Sequence, residues 1–136
     1  MKIYFAGSIR SSHEDKNWYV QILKSLRRYG EVFTEDLRQP TGASLGEKLK
    51  NADVYERNMA WLEASDRLVA EVTTPSFEVG YEIALAEQWG KPILCLYRRG
   101  NSPPLSPIIA GNDKLMIRQY ESKIDMERSV RYFFGH

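Results

Sequence analysis

The chain has little material for a disulfide or a metal site. Among its 136 residues are one cysteine, Cys95, and two histidines, His13 and His136. One cysteine cannot form a disulfide within the chain, and isolated histidines lack the matched spacing of several ligands that a metal site needs. Cys95 lies within an apolar run, which is typical of a buried thiol and not of a nucleophile. We therefore expect no bound metal and a reducing, cytoplasmic location.

An excess of one charge and long hydrophobic runs are also lacking. Nineteen basic and 18 acidic residues give a net charge of +1, so no overall field favours a nucleic acid polymer or a membrane surface. No apolar run is long enough to span a bilayer, and the first residues predict a strand and not a signal peptide. The composition, 43% hydrophobic and 27% charged, predicts one globular domain over residues 1–136.

Short apolar runs that alternate with amphipathic segments make up most of the chain. Four runs predict buried strands, at residues 3–6, 31–34, 68–72 and 92–97, and residues 115–117 predict a weaker fifth. The segments between them have helical periodicity. This alternation predicts a single α/β domain of Rossmann-like (flavodoxin-like) type, with about five parallel strands and helices on both faces.

Polar residues follow the first predicted strand, at the edge of the sheet where α/β proteins bind ligands. Gly7 permits a close turn of the backbone, and Ser8 and Arg10 offer a hydroxyl and a forked cation that suit a phosphate. A tight turn with a surface arginine explains the same residues. The dinucleotide-binding fingerprint is absent, because its later glycines are missing.

Two glutamates lie on a serine-capped helix after the third predicted strand. Ser76 is placed as an N-cap, and its hydroxyl can also bind a phosphate. Glu78 and Glu82 are four residues apart and share one helix face, so either is a candidate nucleophile or base; solvated surface glutamates are the alternative. Gly80 lies between them, where glycine costs about 1 kcal/mol relative to alanine. This glycine indicates that another backbone or a ligand packs closely there.

Short motifs over residues 2–120 together resemble those of the 2'-deoxynucleoside 5'-phosphate N-hydrolases, relatives of the nucleoside 2-deoxyribosyltransferases. The motifs lie at residues 4–10, 61–62, 64–66, 70–73, 75–76, 79–82 and 93–96. The resemblance implies a homodimeric enzyme that needs no metal or cofactor. It also implies cleavage of the N-glycosidic bond of 2'-deoxynucleoside 5'-monophosphates, which gives free base and 2-deoxyribose 5-phosphate.

The resemblance further implies residue roles. In the family, a lysine stands at the helix end, and the nucleophilic glutamate lies eight residues before the residue that precedes this lysine. Here the lysine is Lys91 and the preceding residue is Gly90, so the spacing favours Glu82 over Glu78. Tyr4 matches a tyrosine near the sugar and the catalytic carboxylate. Asn58 stands where the family has an aspartate. The implied substrate-binding residues are Gly7, Ser8, Ile9, Arg10, Ser76, Gly80 and, from the partner subunit, Ser106.

With asparagine at position 58, no residue is assigned to donate a proton to the departing base, because an amide can orient a hydroxyl but cannot deliver a proton. Two alternative functions stay open. One is a nucleoside 2-deoxyribosyltransferase that passes the sugar between bases, and the other is a nucleotide-binding module without turnover. The phosphate-suited set of Ser8, Arg10 and Ser76 favours hydrolysis of a nucleotide.

Overall fold

The computed structural model describes residues 1–9, 11–35, 49–100 and 104–135, over which strands and helices alternate. The strands are β1 (Lys2–Ala6), β2 (Glu31–Phe33), β3 (Arg67–Glu71), β4 (Ile93–Arg98) and β5 (Met116–Tyr120). The helices are α1 (His13–Leu26), α2 (Asn51–Ala64), α3 (Phe77–Gln88), α4 (Pro107–Ala110) and α5 (Lys123–Phe133). All five predicted strands are confirmed. The four-residue helix α4 has no counterpart among the predicted elements.

The strands form one parallel sheet in the order β2-β1-β3-β4-β5. The chain leaves β1 toward β2 on one side and then returns to β3 on the other side of β1. This reversal makes the carboxyl ends of β1 and β3 the switch point of the topology, where open α/β sheets bind ligands. The loops after Ala6 and Glu71 therefore meet at the edge where a site is expected.

Helices cover both faces of the sheet, as predicted. On one face, Phe5 of β1 packs edge-on against Tyr19 of α1, with 5.9 Å between ring centroids, and α5 completes the layer through Val130. On the other face, neighbouring β1 residues pack against Leu62 of α2 and Ile83 of α3. Because successive strand residues point to opposite faces, one strand contributes to both cores.

Local signals in the sequence set the bounds of α3. Ser76 accepts a hydrogen bond from the Val79 backbone N–H at 3.3 Å, which caps the first turn. Gly90, with φ of +74°, follows the last turn in the left-handed region that glycine adopts without strain. These two ends place Glu78 in the first turn of the helix and Glu82 in the second.

A buried hydrogen-bond network around Glu71 holds the loop after β3 in place. This carboxylate accepts hydrogen bonds from the Thr73 backbone N–H at 2.7 Å, from the Thr73 hydroxyl at 2.8 Å and from the Tyr120 hydroxyl. Burial raises the pKa of Glu71, and these donors act against that rise. Arg98, whose backbone N–H donates to the Thr73 hydroxyl, pairs with buried Asp15 through its guanidinium. The loop that leads to α3 is thus tied to β4, β5 and α1.

Cys95 is fully buried in β4, and burial raises the pKa of its thiol to about 12. The prediction of a buried core thiol is therefore confirmed. Over the ranges that the structure describes, no helix has the length and apolar character needed to cross a membrane.

Candidate active site

A cleft of about 800 Å³ lies at the carboxyl edge of the sheet. The loops after β1 and β3, the first turns of α3 and the segment around α4 form its walls. Five of the seven predicted substrate-binding residues line it: Ser8, Ile9, Ser76, Gly80 and Ser106. Gly7 directly precedes Ser8, and Arg10 lies outside the described residues.

The cleft contains the features of an anion site at the start of α3. The first backbone N–H groups of a helix have no partner within it, and the helix dipole favours negative charge there. Ser76 caps this end of the helix, and Ser8, in the loop after β1, lines the same cleft. The Ser8 backbone N–H donates a hydrogen bond to the Tyr19 hydroxyl at 3.2 Å. Two hydroxyls and the helix amides thus converge on a space that suits a phosphate.

Gly80 faces this space. A Cβ built on Gly80 meets nothing within 4 Å, and the residue is exposed on the cleft wall. Among the residues that the structure describes, no backbone packs against Gly80. The close approach of a ligand, the other explanation that the sequence allowed, stays a prediction.

Glu82 lies one turn further along α3 and is only 3% exposed. The Tyr4 hydroxyl, itself in a residue 2% exposed, donates a hydrogen bond to the Glu82 carboxylate. Burial is the main reason that the pKa of Glu82 is raised to about 8; the Tyr4 hydrogen bond lowers it, and the carboxylates of Glu78 and Glu35 raise it. The structure thus joins two predicted catalytic residues that are 78 positions apart in the sequence.

A second polar cluster surrounds Asn58, which is 3% exposed on α2. Its side-chain amide donates to Glu35 Oε1 at 2.7 Å and reaches Glu78 Oε1 at 3.4 Å. Its carbonyl oxygen accepts from Arg57 Nε at 3.2 Å, and the Arg57 guanidinium lies 3.2 Å from Glu35. The predicted site residue Asn58 therefore lies among the charged side chains of Glu35, Arg57 and Glu78.

Glu35 and Arg57 belong to this candidate site, and the sequence reasoning missed both of them. Glu35 is buried two residues beyond β2, at the same edge of the sheet as the loops after β1 and β3. The sequence could have indicated Glu35, because it follows a predicted parallel strand and the carboxyl ends of parallel strands share one edge of the sheet. Arg57 gave no comparable signal, since a charged residue on a helix is usually a solvated one.

Ser106 is exposed at the start of α4 and its side chain makes no capping hydrogen bond there. It lies on the cleft wall of its own chain. Its contribution to the site of a partner subunit stays a prediction. Within the described ranges, no group of three or more His, Cys, Asp or Glu side chains is arranged to hold a metal ion.

The parallel sheet and the cleft at its switch point define a ligand-binding α/β protein. The sequence profile of the family described as nucleoside 2-deoxyribosyltransferase matches residues 3–124, and the chain belongs to this family. The resemblance inferred from the short motifs is thereby confirmed.

Named relatives lie in the hydrolase branch. The chain is 42% identical over 122 residues to a putative 2'-deoxynucleoside 5'-phosphate N-hydrolase 1 of Syntrophotalea carbinolica, covering 90% of this chain and 86% of that one. It is 41% identical over 136 residues to the human 5-hydroxymethyl-dUMP N-hydrolase, covering 96% and 78%. The corresponding rat protein is 45% identical over 111 residues, covering 80% and 68%.

Solved structures support the fold. A conserved protein from Enterococcus faecalis matches with a TM-score of 0.72 and 21% identity, covering 97% of this chain and 98% of that one. The CMP N-glycosidase BcmB of Clostridium botulinum matches with a TM-score of 0.69 and 15% identity, covering 97% and 99%. At these identities the matches show the shared α/β fold alone.

The raised pKa of Glu82 predicts how stability depends on pH. Between about pH 4.5 and about pH 8 the folded state keeps a proton that an unfolded glutamate has released, so stability falls as pH rises through this range. A glutamine at this position would not titrate. We expect Glu82→Gln to unfold at nearly the wild-type urea concentration at pH 5 and to be more stable by about 3–5 kcal/mol at pH 8.5.

Urea unfolding at both pH values measures this difference. Glu63→Gln, which removes an exposed carboxylate at the far end of α2, is the matched control and should show no such pH-dependent gain. A Glu82→Gln protein that is equally stable relative to wild type at both pH values would contradict the raised pKa.

Proposed function

We propose that the chain hydrolyses the N-glycosidic bond of 2'-deoxynucleoside 5'-monophosphates, releasing free base and 2-deoxyribose 5-phosphate. The observation that carries this proposal is the arrangement on α3. An anion site at the helix start lies one to two turns from a buried carboxylate held by the Tyr4 hydroxyl. The names of the relatives, N-hydrolases of deoxynucleoside phosphates, favour the same reaction.

Glu82 is the nucleophile in this proposal. Its ionised carboxylate attacks the anomeric carbon as the base departs, and water then hydrolyses the sugar ester, as in a retaining glycosidase. The Tyr4 hydrogen bond favours the ionised form and fixes the direction of the carboxylate. A 2-deoxy sugar lacks the electron-withdrawing 2'-hydroxyl, so its oxocarbenium-like transition state forms more easily.

The 5'-phosphate binds at the start of α3 and orients the sugar. Ser8 and Ser76 supply hydroxyls, and the first amides of the helix supply N–H donors. Arg10, whose guanidinium suits a phosphate, completes this set in the proposal. Because the phosphate does not react, its binding energy can be used to hold the anomeric carbon near Glu82.

The enzyme acts as a homodimer in this proposal, and Ser106 contributes to the phosphate site of the partner subunit. The support in this chain is an exposed apolar surface beside the cleft, on α3 and α4. Its members are Phe77, Tyr81 and Ile108, which are 102%, 52% and 82% exposed. Exposed apolar clusters of this kind mark association surfaces.

The reaction is tested with the four deoxynucleoside monophosphates and their ribose counterparts, by chromatography of the released base. We expect the wild type to release base from deoxynucleotides, and Glu82→Gln to lose at least about 1,000-fold in kcat, because the amide cannot form the sugar ester. No release by the wild type would contradict hydrolysis. A new nucleotide formed only when a second base is added would indicate a transferase instead.

The phosphate site predicts a selective loss of nucleotide binding in Ser76→Ala. We expect its KM for a deoxynucleotide to rise about 10-fold, because a hydrogen bond to a charged group is lost. Ser122→Ala is the matched control. Ser122 caps α5 through its side chain, as Ser76 caps α3, so both variants lose about 1 kcal/mol of stability. An equal KM in the two variants would contradict a phosphate at α3.

The dimer predicts complementation between two defective chains. In a heterodimer of Glu82→Gln and Ser106→Ala chains, one site combines an intact Glu82 with the partner's intact Ser106. We expect co-expressed, doubly tagged heterodimers to be more active than either homodimer. Activity no higher than that of the Ser106→Ala homodimer would show that Ser106 serves the cleft of its own chain.

A further inference from the structure

The proposed reaction leaves one role unfilled, which is the supply of a proton to the departing base. The family position for an acidic side chain on α2 carries Asn58. Its amide is committed on both sides, as donor to Glu35 and as acceptor from Arg57. An amide in this position orients its neighbours but has no proton to transfer.

Glu78 is the carboxylate that reaches the same place from the opposite helix. Its Oε1 lies 3.4 Å from the side-chain nitrogen of Asn58, so the two side chains meet between α2 and α3. Unlike Glu82, Glu78 is exposed and lines the cleft, so it can contact a ligand there. A carboxyl group is thus present where position 58 lacks one.

The spacing of Glu78 and Glu82 also suits two carboxylates that act on one bond. Side chains four residues apart on a helix have Cβ atoms about 5–6 Å apart. The buried glutamate held by Tyr4 and the exposed one on the cleft wall are therefore one helical turn apart, close enough for both side chains to reach one substrate.

We propose that Glu78 is the general acid for the departing base, with Glu82 as the nucleophile; this inference rests on the proposed hydrolase function. As the Glu82 oxygen bonds to the anomeric carbon, the C–N bond breaks and its electron pair passes to the base. The Glu78 proton moves to a ring nitrogen or carbonyl oxygen of the base. Water then attacks the anomeric carbon, its proton returns to Glu78, and the Glu82 carboxylate is released.

The charges around Glu78 fit this role once substrate is bound. In the free protein, partial desolvation of its carboxyl group and the Glu35 carboxylate raise the pKa of Glu78, whereas Arg57 and Asn58 lower it. A phosphate at the start of α3 would add negative charge nearer to Glu78 than to Glu82. Nucleotide binding therefore favours the proton on Glu78 and the anion on Glu82.

The experiment compares wild type, Glu78→Gln and the control Glu63→Gln on two substrates. One is a deoxynucleoside monophosphate, and the other is the 5-phosphate of 4-nitrophenyl 2-deoxyriboside, whose leaving group needs no proton. We expect Glu78→Gln to lose about 100-fold to 10,000-fold in kcat on the nucleotide and less than about 5-fold on the nitrophenyl substrate. The alkaline limb of its kcat–pH profile should also disappear, because the proton that this limb reports is gone.

A second variant tests the exchange of roles between the two helices. In Asn58→Asp/Glu78→Gln the acid returns to α2, and we expect at least about 10-fold recovery of kcat on the nucleotide over Glu78→Gln alone. Equal losses on both substrates, or no loss on either, would overturn the acid role of Glu78. A double variant without recovery would overturn the exchange of positions. A wild type inactive on every deoxynucleotide would instead overturn the proposed function.

Discussion

One hydrogen bond, from the Tyr4 hydroxyl to the Glu82 carboxylate, links the central strand β1 to the second turn of α3. It exists because the topology places β3 beside β1, so that the helix after β3 begins next to Tyr4. The bond fixes the direction of this carboxyl group and partly offsets the rise in its pKa that burial causes. This bond fixes α3 against β1. The start of α3 carries both the anion site and the second carboxylate, Glu78, and forms part of the cleft wall.

The site lowers the stability of the fold, and the surroundings offset that cost. Glu82 is buried with a raised pKa, and Gly80 occupies a helix interior where no described residue packs against it. The opposite face is built for rigidity: Glu71 is satisfied by three hydrogen bonds, and Arg98 pairs with Asp15 beneath the loop before α3. Such a division between a destabilised site and a hydrogen-bonded support is typical of enzymes.

Most of the fold could be predicted from local signals. Apolar runs of strand length marked all five strands, and Ser76 with Gly90 marked both ends of α3. These signals act within a few residues, so one sequence is enough to read them. Helix α4 escaped prediction because four residues are too few to show a period.

The sequence by itself determined that Glu78 and Glu82 share one face of a capped helix, at the carboxyl edge of a parallel sheet. It did not determine which glutamate is buried, since that depends on Tyr4, 78 residues away. Nor did it show that Glu35, Arg57 and the amide at position 58 converge on Glu78. Those contacts join β2, α2 and α3, and only tertiary packing brings them together. The chemistry of each carboxylate is therefore decided by neighbours that the local pattern does not contain.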